Sequence, residues 1–120
     1  MSFEDKVNSV IGLPYDAYDA HCWHLVAFLV PDAPKVEGTA KTLTLSVRHF
    51  KEELDTHKLN EIEKENFQNK DIIILGMNNI MFHAGVYYDG GVIHANNTGV
   101  VYQSMDMIEM YYTNIKGLRV

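Results

Sequence analysis

The chain has 120 residues, of which 47% are hydrophobic and 22% charged, and its formal net charge is −6 at pH 7. This length and composition fit one globular domain over residues 1–120 and argue against disorder. The negative charge argues against nucleic-acid binding and against docking on an anionic membrane. The single cysteine excludes an internal disulfide.

Three helices are predicted in the first half of the chain. Ser2 is a suitable N-cap for a helix over residues 3–11. A second helix, apolar nearly all round, begins at residue 21 or 22 and is stopped by Pro31. Apolar residues at helical spacing predict a third helix over residues 42–59.

The second half is predicted to form mainly antiparallel strands. The turn signal Asp89-Gly90 indicates a hairpin between residues 80–88 and 92–95. Residues 60–70 read as a polar surface segment. Further strands are predicted at 71–76, 100–102 and 115–120, with a weak helix at 105–112. Helices followed by antiparallel strands indicate an α+β fold.

The N-terminal residues Met1 to Asp5 lack the basic and apolar regions of a signal peptide. The longest apolar run, over residues 25–30, is far too short to cross a bilayer. We therefore expect synthesis as a soluble cytoplasmic chain, without membrane insertion.

Cys22 is the candidate nucleophile because it is predicted at a helix start, where partial positive charge favours the reactive thiolate. Taken alone, a single cysteine is more often a small buried core residue. His83 and His94, considered together with Cys22, favour the catalytic role over the core role. A thiolate with a histidine base and an orienting partner is a recurrent catalytic arrangement.

The hairpin register brings His83 and His94 together. A two-residue turn at Asp89-Gly90 would place Gly85 opposite His94, and His83 opposite Asn96. The two histidines would then be diagonal neighbours on one face, within side-chain reach. Gly85 would leave room for one imidazole to approach the other.

Seven segments of the sequence have to be considered together. They are Gly12-Leu13-Pro14-Tyr15, Cys22-Trp23-His24-Leu25-Val26, Lys70-Asp71-Ile72-Ile73, His83-Ala84-Gly85-Val86-Tyr87, Val92-Ile93-His94-Ala95, Gly99-Val100-Val101 and Ile115-Lys116-Gly117-Leu118-Arg119. Together they resemble the motifs of the NlpC/P60 family of cysteine peptidases, in the form found in phage tails. The resemblance covers residues 12–119, with an insertion-like stretch between about 36 and 70.

This resemblance implies a papain-like α+β fold, in which the nucleophile helix packs on an antiparallel sheet. It implies a cysteine peptidase or amidase that cuts peptidoglycan stem peptides and needs no cofactor. Cys22, His83 and His94 would form its catalytic triad, and Tyr15 would line the site. Trp23 is most simply a core anchor but could flank the substrate groove. A phage or prophage virion tail, with its tail proteins as partners, would be the place of action.

Two residues depart from the family pattern, and they leave two alternatives open. His21 stands where the family has Asp, and His24 where it has Gly. With Cys22 they could instead form a zinc site, completed by His83 or His94, although their spacing matches no standard ligand motif. The other alternative is a catalytically inactive tail-assembly or interaction module.

Overall fold

A computed structural model describes residues 1–14, 22–33, 59–77, 80–96 and 99–120. Within these ranges, the side chains of residues 22–24, 80–82 and 96 are outside the description. The predicted helix over 42–59 falls almost entirely outside the described residues. Leu59 is described, and it is not helical.

The two N-terminal helices begin where the sequence predicts. Helix α1 (Phe3–Val10) is capped by Ser2, whose hydroxyl accepts from the backbone of Asp5 at 3.1 Å while the Asp5 carboxylate accepts from the Ser2 backbone. Helix α2 (Cys22–Leu29) begins at the cysteine. Its buried residues Leu25, Val26 and Leu29 join the core, and the helix packs on the central hairpin described next.

Six antiparallel strands form one sheet, and a short third helix follows the fifth strand. In space the strands run β1-β6-β2-β3-β4-β5, so the last strand lies between the first and the second. The elements are β1 (Asn60–Ile62), β2 (Ile72–Met77), β3 (Ile80–Tyr88), β4 (Gly91–Asn96), β5 (Gly99–Ser104), α3 (Met105–Tyr111) and β6 (Asn114–Arg119).

The β3–β4 hairpin has the predicted two-residue turn. Asp89 and Gly90 both have positive φ, 45° and 82°, which is the requirement of a type I′ turn. The ladder pairs Tyr88 with Gly91 and Gly85 with His94, which confirms the predicted register. Gly85↔His94 is the last pair of this ladder, so His83 lies beyond it and the predicted pairing with Asn96 is not part of it.

The two faces of the sheet carry separate clusters of buried side chains. Helices α1 and α2 cover the face that includes Ala84, Val86 and Ile93. Helix α3 covers the opposite face, where Ile73, Leu75, Val92 and Ile108 meet. Because side chains alternate along a strand, His83 and His94 belong to the α3 face. Helix α2 therefore packs on the face of the sheet opposite the two histidines.

The predicted papain-like α+β class is wrong. The described chain is mostly a six-stranded antiparallel sheet, and its α-helices are only seven or eight residues long. Most of the described core side chains accordingly come from strands. The sequence analysis also missed β1, which it read as part of a polar surface segment.

Strands β2 and β6 are held together by a charged contact as well as by strand pairing. Asp71, at the start of β2, is 2% exposed and accepts two hydrogen bonds from the Arg119 guanidinium, at 2.8 and 2.7 Å. The backbone N–H of Gln68 donates to the same carboxylate. This bidentate pair links the start of β2 to the end of β6.

Among the described residues, no helix is long and apolar enough to cross a bilayer.

Candidate active site

Two imidazole rings meet on the α3 face of the sheet. His83 Nε2 lies 2.8 Å from His94 Nδ1, and the ring planes are inclined by 78°. His94 is 1% exposed and His83 is partly buried. The hydrogen bond is made by neighbouring strands whose register is set by the short Asp89-Gly90 turn. The predicted joint placement of the two histidines is therefore confirmed.

A glutamine on the next strand extends the contact. Gln103 of β5 places its amide oxygen 2.6 Å from His94 Nε2. Both ring nitrogens of His94 are thus hydrogen-bonded, one to His83 and the other to Gln103. The sequence analysis missed Gln103, although the same parity argument would have found it: Val92 pairs with Gln103 and His94 with Val101 across the β4–β5 hairpin.

Burial keeps this histidine pair neutral. Burial, and secondarily the neighbouring His94, lower the pKa of His83 from 6.5 to about 4. Burial also lowers the pKa of His94, while its hydrogen bond to Gln103 acts in the opposite direction. A neutral imidazole has a free lone pair with which it can accept a proton, as a general base must, but the lowered pKa of His83 makes that transfer less favourable at neutral pH.

The lowered pKa of His83 has a measurable effect on stability. The unfolded chain binds more protons than the folded chain between about pH 4 and 6.5, so stability is full above that window and falls with pH within it. We expect His83 to account for a loss on the order of 2 kcal/mol between pH 7 and pH 5. Urea unfolding of the parent and of His83→Gln at both pH values measures it. An equal loss in the two proteins would assign the effect to other groups.

Gly85 provides the space in which the two rings meet. It lies opposite His94, and a Cβ atom there would stand 2.6 Å from the Ile93 carbonyl oxygen and 3.0 Å from the His94 Cβ. Contacts this short cannot be relieved by turning a flexible side-chain end, because one partner is backbone. A side chain at this position would therefore displace β4 and with it the imidazole of His94.

Gly85→Ala is expected to lower the free energy of unfolding by about 1–3 kcal/mol through this overlap. Gly12→Ala gives the comparison without crowding: no atom lies within 4 Å of the added methyl group, but φ at Gly12 is 86°, a backbone strain that Gly85 does not have. That control measures backbone strain alone, about 1 kcal/mol. Urea unfolding midpoints compare the two. Because Gly85 has no such strain, an unchanged unfolding midpoint in Gly85→Ala would show that crowding there has no effect on stability.

Tyr112 is a second residue that the sequence analysis did not assign to the site. Its ring is stacked on His83, with centroids 6.3 Å apart and planes inclined by 13°, and it meets His94 edge-on. Tyr112 also lines an open cleft of about 580 Å³. The cleft walls are charged and polar, with Glu61, Ile62, Glu63, Lys64, Glu109, Thr113, Ile115 and Lys116 as the other lining residues. Two ion pairs join lining residues of the cleft, Lys64–Glu109 and Lys116–Glu61.

The remaining predicted site residues are only partly described. Cys22 is the first residue of α2, as predicted, but its side chain and that of Trp23 are outside the description. Tyr15 and His21 lie outside the described residues altogether. The described side chains include no group of three or more His, Cys, Asp or Glu arranged to hold a metal ion.

No protein-family model matches the chain, and no curated protein matches its sequence significantly. The likeness to NlpC/P60 peptidases therefore rests on the motif residues alone, and the observed fold, which is mostly a six-stranded antiparallel sheet, does not support it.

Proposed function

We propose that this protein is a cysteine hydrolase that cleaves a peptide or amide bond by acyl transfer. The observation that supports this best is the buried, neutral His83–His94 pair joined at 2.8 Å. A histidine base needs a partner on its second nitrogen to fix its tautomer and its orientation, and His94 is such a partner. Cys22 supplies the nucleophile at the first position of α2.

The reaction is a proton transfer followed by acyl transfer. His83 takes the thiol proton of Cys22, and the thiolate attacks the carbonyl carbon to form a tetrahedral oxyanion. Backbone N–H groups at the start of α2, which have no partner within a helix, are suited to stabilise that oxyanion. His83 then gives the proton to the leaving amine nitrogen. Water hydrolyses the thioester in the same way and restores the thiol.

The substrate class comes from the motif resemblance. The segments around Cys22, His83 and His94 are similar to those of NlpC/P60 peptidases, which suggests the stem peptide of bacterial peptidoglycan as substrate. The phage-tail form of the motif suggests a virion tail as the setting. The cleft beside Tyr112 supports this substrate class, because its charged walls suit a polar peptide and Tyr112, one of its lining residues, stacks on the base.

One observation favours a non-catalytic module instead. Helix α2 packs on the sheet face opposite the histidines, so its buried side chains do not meet them. Catalysis requires the thiol to reach His83 around the beginning of β3. A register shift between Leu75 and Gly76 makes β3 irregular beside His83, and such bulges redirect side chains.

Thiol reactivity and hydrolysis together discriminate between these functions. A hydrolase should show Cys22 alkylated rapidly by iodoacetamide near neutral pH, more slowly in His83→Ala, and should cleave soluble muropeptides. Slow alkylation that is the same in both proteins, without cleavage, would favour the assembly module.

A further inference from the structure

Gln103 occupies a position from which it can control the histidine pair through its hydrogen bond to His94. It lies on β5 on the same face as His94, and Val92 is its strand partner. Its amide oxygen is 2.6 Å from His94 Nε2. The hydrogen bonds thus form a chain across three neighbouring strands, from Gln103 through His94 to His83.

The chain of hydrogen bonds has a direction. The Gln103 amide oxygen only accepts, so His94 Nε2 must carry the hydrogen. In a neutral imidazole the other nitrogen then has the lone pair, so His94 Nδ1 accepts. His83 Nε2 must therefore donate its hydrogen to it. This leaves the free lone pair of His83 on Nδ1.

We propose that Gln103 is a positioning residue that makes Nδ1 of His83 the nitrogen which takes the proton of Cys22. This inference rests on the proposed hydrolase function, and it adds the atom at which the base acts. Gln103 reaches that atom only through His94. Its role is to select one tautomer of the pair.

This arrangement needs no rearrangement during the reaction. When the thiol proton moves to His83 Nδ1, Nε2 keeps its hydrogen and continues to donate to His94. The electron pair left on sulfur forms the new bond to the carbonyl carbon, and the same proton later leaves with the amine. Because Gln103 is neutral, it fixes the tautomer of His94 without adding a charge to a buried site.

Imidazole ¹⁵N chemical shifts of the folded protein test the assignment, because they distinguish a nitrogen that carries hydrogen from one with a lone pair. The parent should show hydrogen on Nε2 of both histidines. Gln103→Met, which keeps the length of the side chain and removes the acceptor, should give mixed tautomers at His94 and slow muropeptide cleavage roughly tenfold, with KM little changed. Gln103→Glu, which has an acceptor but also adds a charge, should return the Nε2–H form of His94 and only part of the rate.

Tyr102→Phe is the matched control. Tyr102 is the neighbouring residue on β5, and its hydroxyl donates to the Asp89 carbonyl, away from the histidines. This variant also loses one hydrogen bond, but it should leave the tautomers and the cleavage rate unchanged. Unfolding midpoints of all variants show whether the fold is kept.

The outcomes separate this inference from the proposed function. Hydrogen on Nδ1 of His94 in the parent, or tautomers unchanged in Gln103→Met, would overturn the role of Gln103 even if the protein cleaves muropeptides. The expected tautomers and their loss in Gln103→Met, in a protein that cleaves nothing, would overturn the hydrolase and leave the control of the tautomer by Gln103 standing.

Discussion

Replacing Cys22 with alanine is expected to reduce muropeptide hydrolysis by at least about a thousandfold. The thiolate is the nucleophile of the acylation step, and removal of a nucleophile from a catalytic unit leaves only the weak catalysis of substrate binding and oxyanion stabilisation. Release of free amine from soluble muropeptides measures the rate. Cys22 is the first residue of α2 and precedes the buried residues described for that helix, so the variant should still fold.

The circular dichroism spectrum and the urea midpoint of Cys22→Ala serve as controls, and both should stay close to those of the parent. Cys22→Ser adds a second control, because it retains a hydroxyl of similar size that is a much weaker nucleophile at neutral pH. Hydrolysis at the parental rate in either variant would exclude Cys22 as the nucleophile.

His83→Ala should lower the rate by about a hundred- to ten-thousandfold, the usual contribution of a general base. His94→Ala should cost less, about tenfold, because His94 orients the base through one hydrogen bond and does not itself take the thiol proton of Cys22. Muropeptide hydrolysis at pH 7.5 measures both variants, with unfolding midpoints to separate lost function from lost folding.

The hydrogen-bonding groups of the side chain at residue 94 give a sharper comparison. His94→Gln introduces an amide oxygen that can accept from His83 Nε2 and an amide N–H that can donate to Gln103. It should therefore recover part of the rate lost in His94→Ala. Rates in His94→Gln as low as in His94→Ala, in a variant that folds as stably as the parent, would argue that His94 does more than orient the base.

The parts of the fold that could be predicted are those specified by short stretches of sequence. The capping box of Ser2 and Asp5 defines the start of α1 within four residues. The turn at Asp89-Gly90 fixes the β3–β4 register, from which the contact between His83 and His94 follows. Each of these signals lies close to the structure that it determines.

The fold class and two site residues could not be predicted in the same way. Strand β1 is three residues long and mostly exposed, so it has no apolar alternation, and it exists because it pairs with the distant β6. Tyr112 reaches His83 from the connection between α3 and β6, a placement set by long-range packing. Gln103 differs, since its register was available from the sequence, but a neutral amide on a strand carries no catalytic signal of its own.

Because β6 lies between β1 and β2, the strand pairings of the sheet differ in how much chain entropy is lost when they form. Strands β2 to β5 follow one another through short connections, so the pairings that bring His83, His94 and Gln103 together close only small loops. The β1–β6 ladder joins Asn60 to Arg119 and closes a loop of about half the chain. Loop closure costs more as the loop lengthens, though only slowly. The hydrogen-bonded histidines thus belong to the part of the sheet whose strands are close in sequence. The ion pair of Asp71 with Arg119 helps to hold β6, whose pairing partners are distant in sequence.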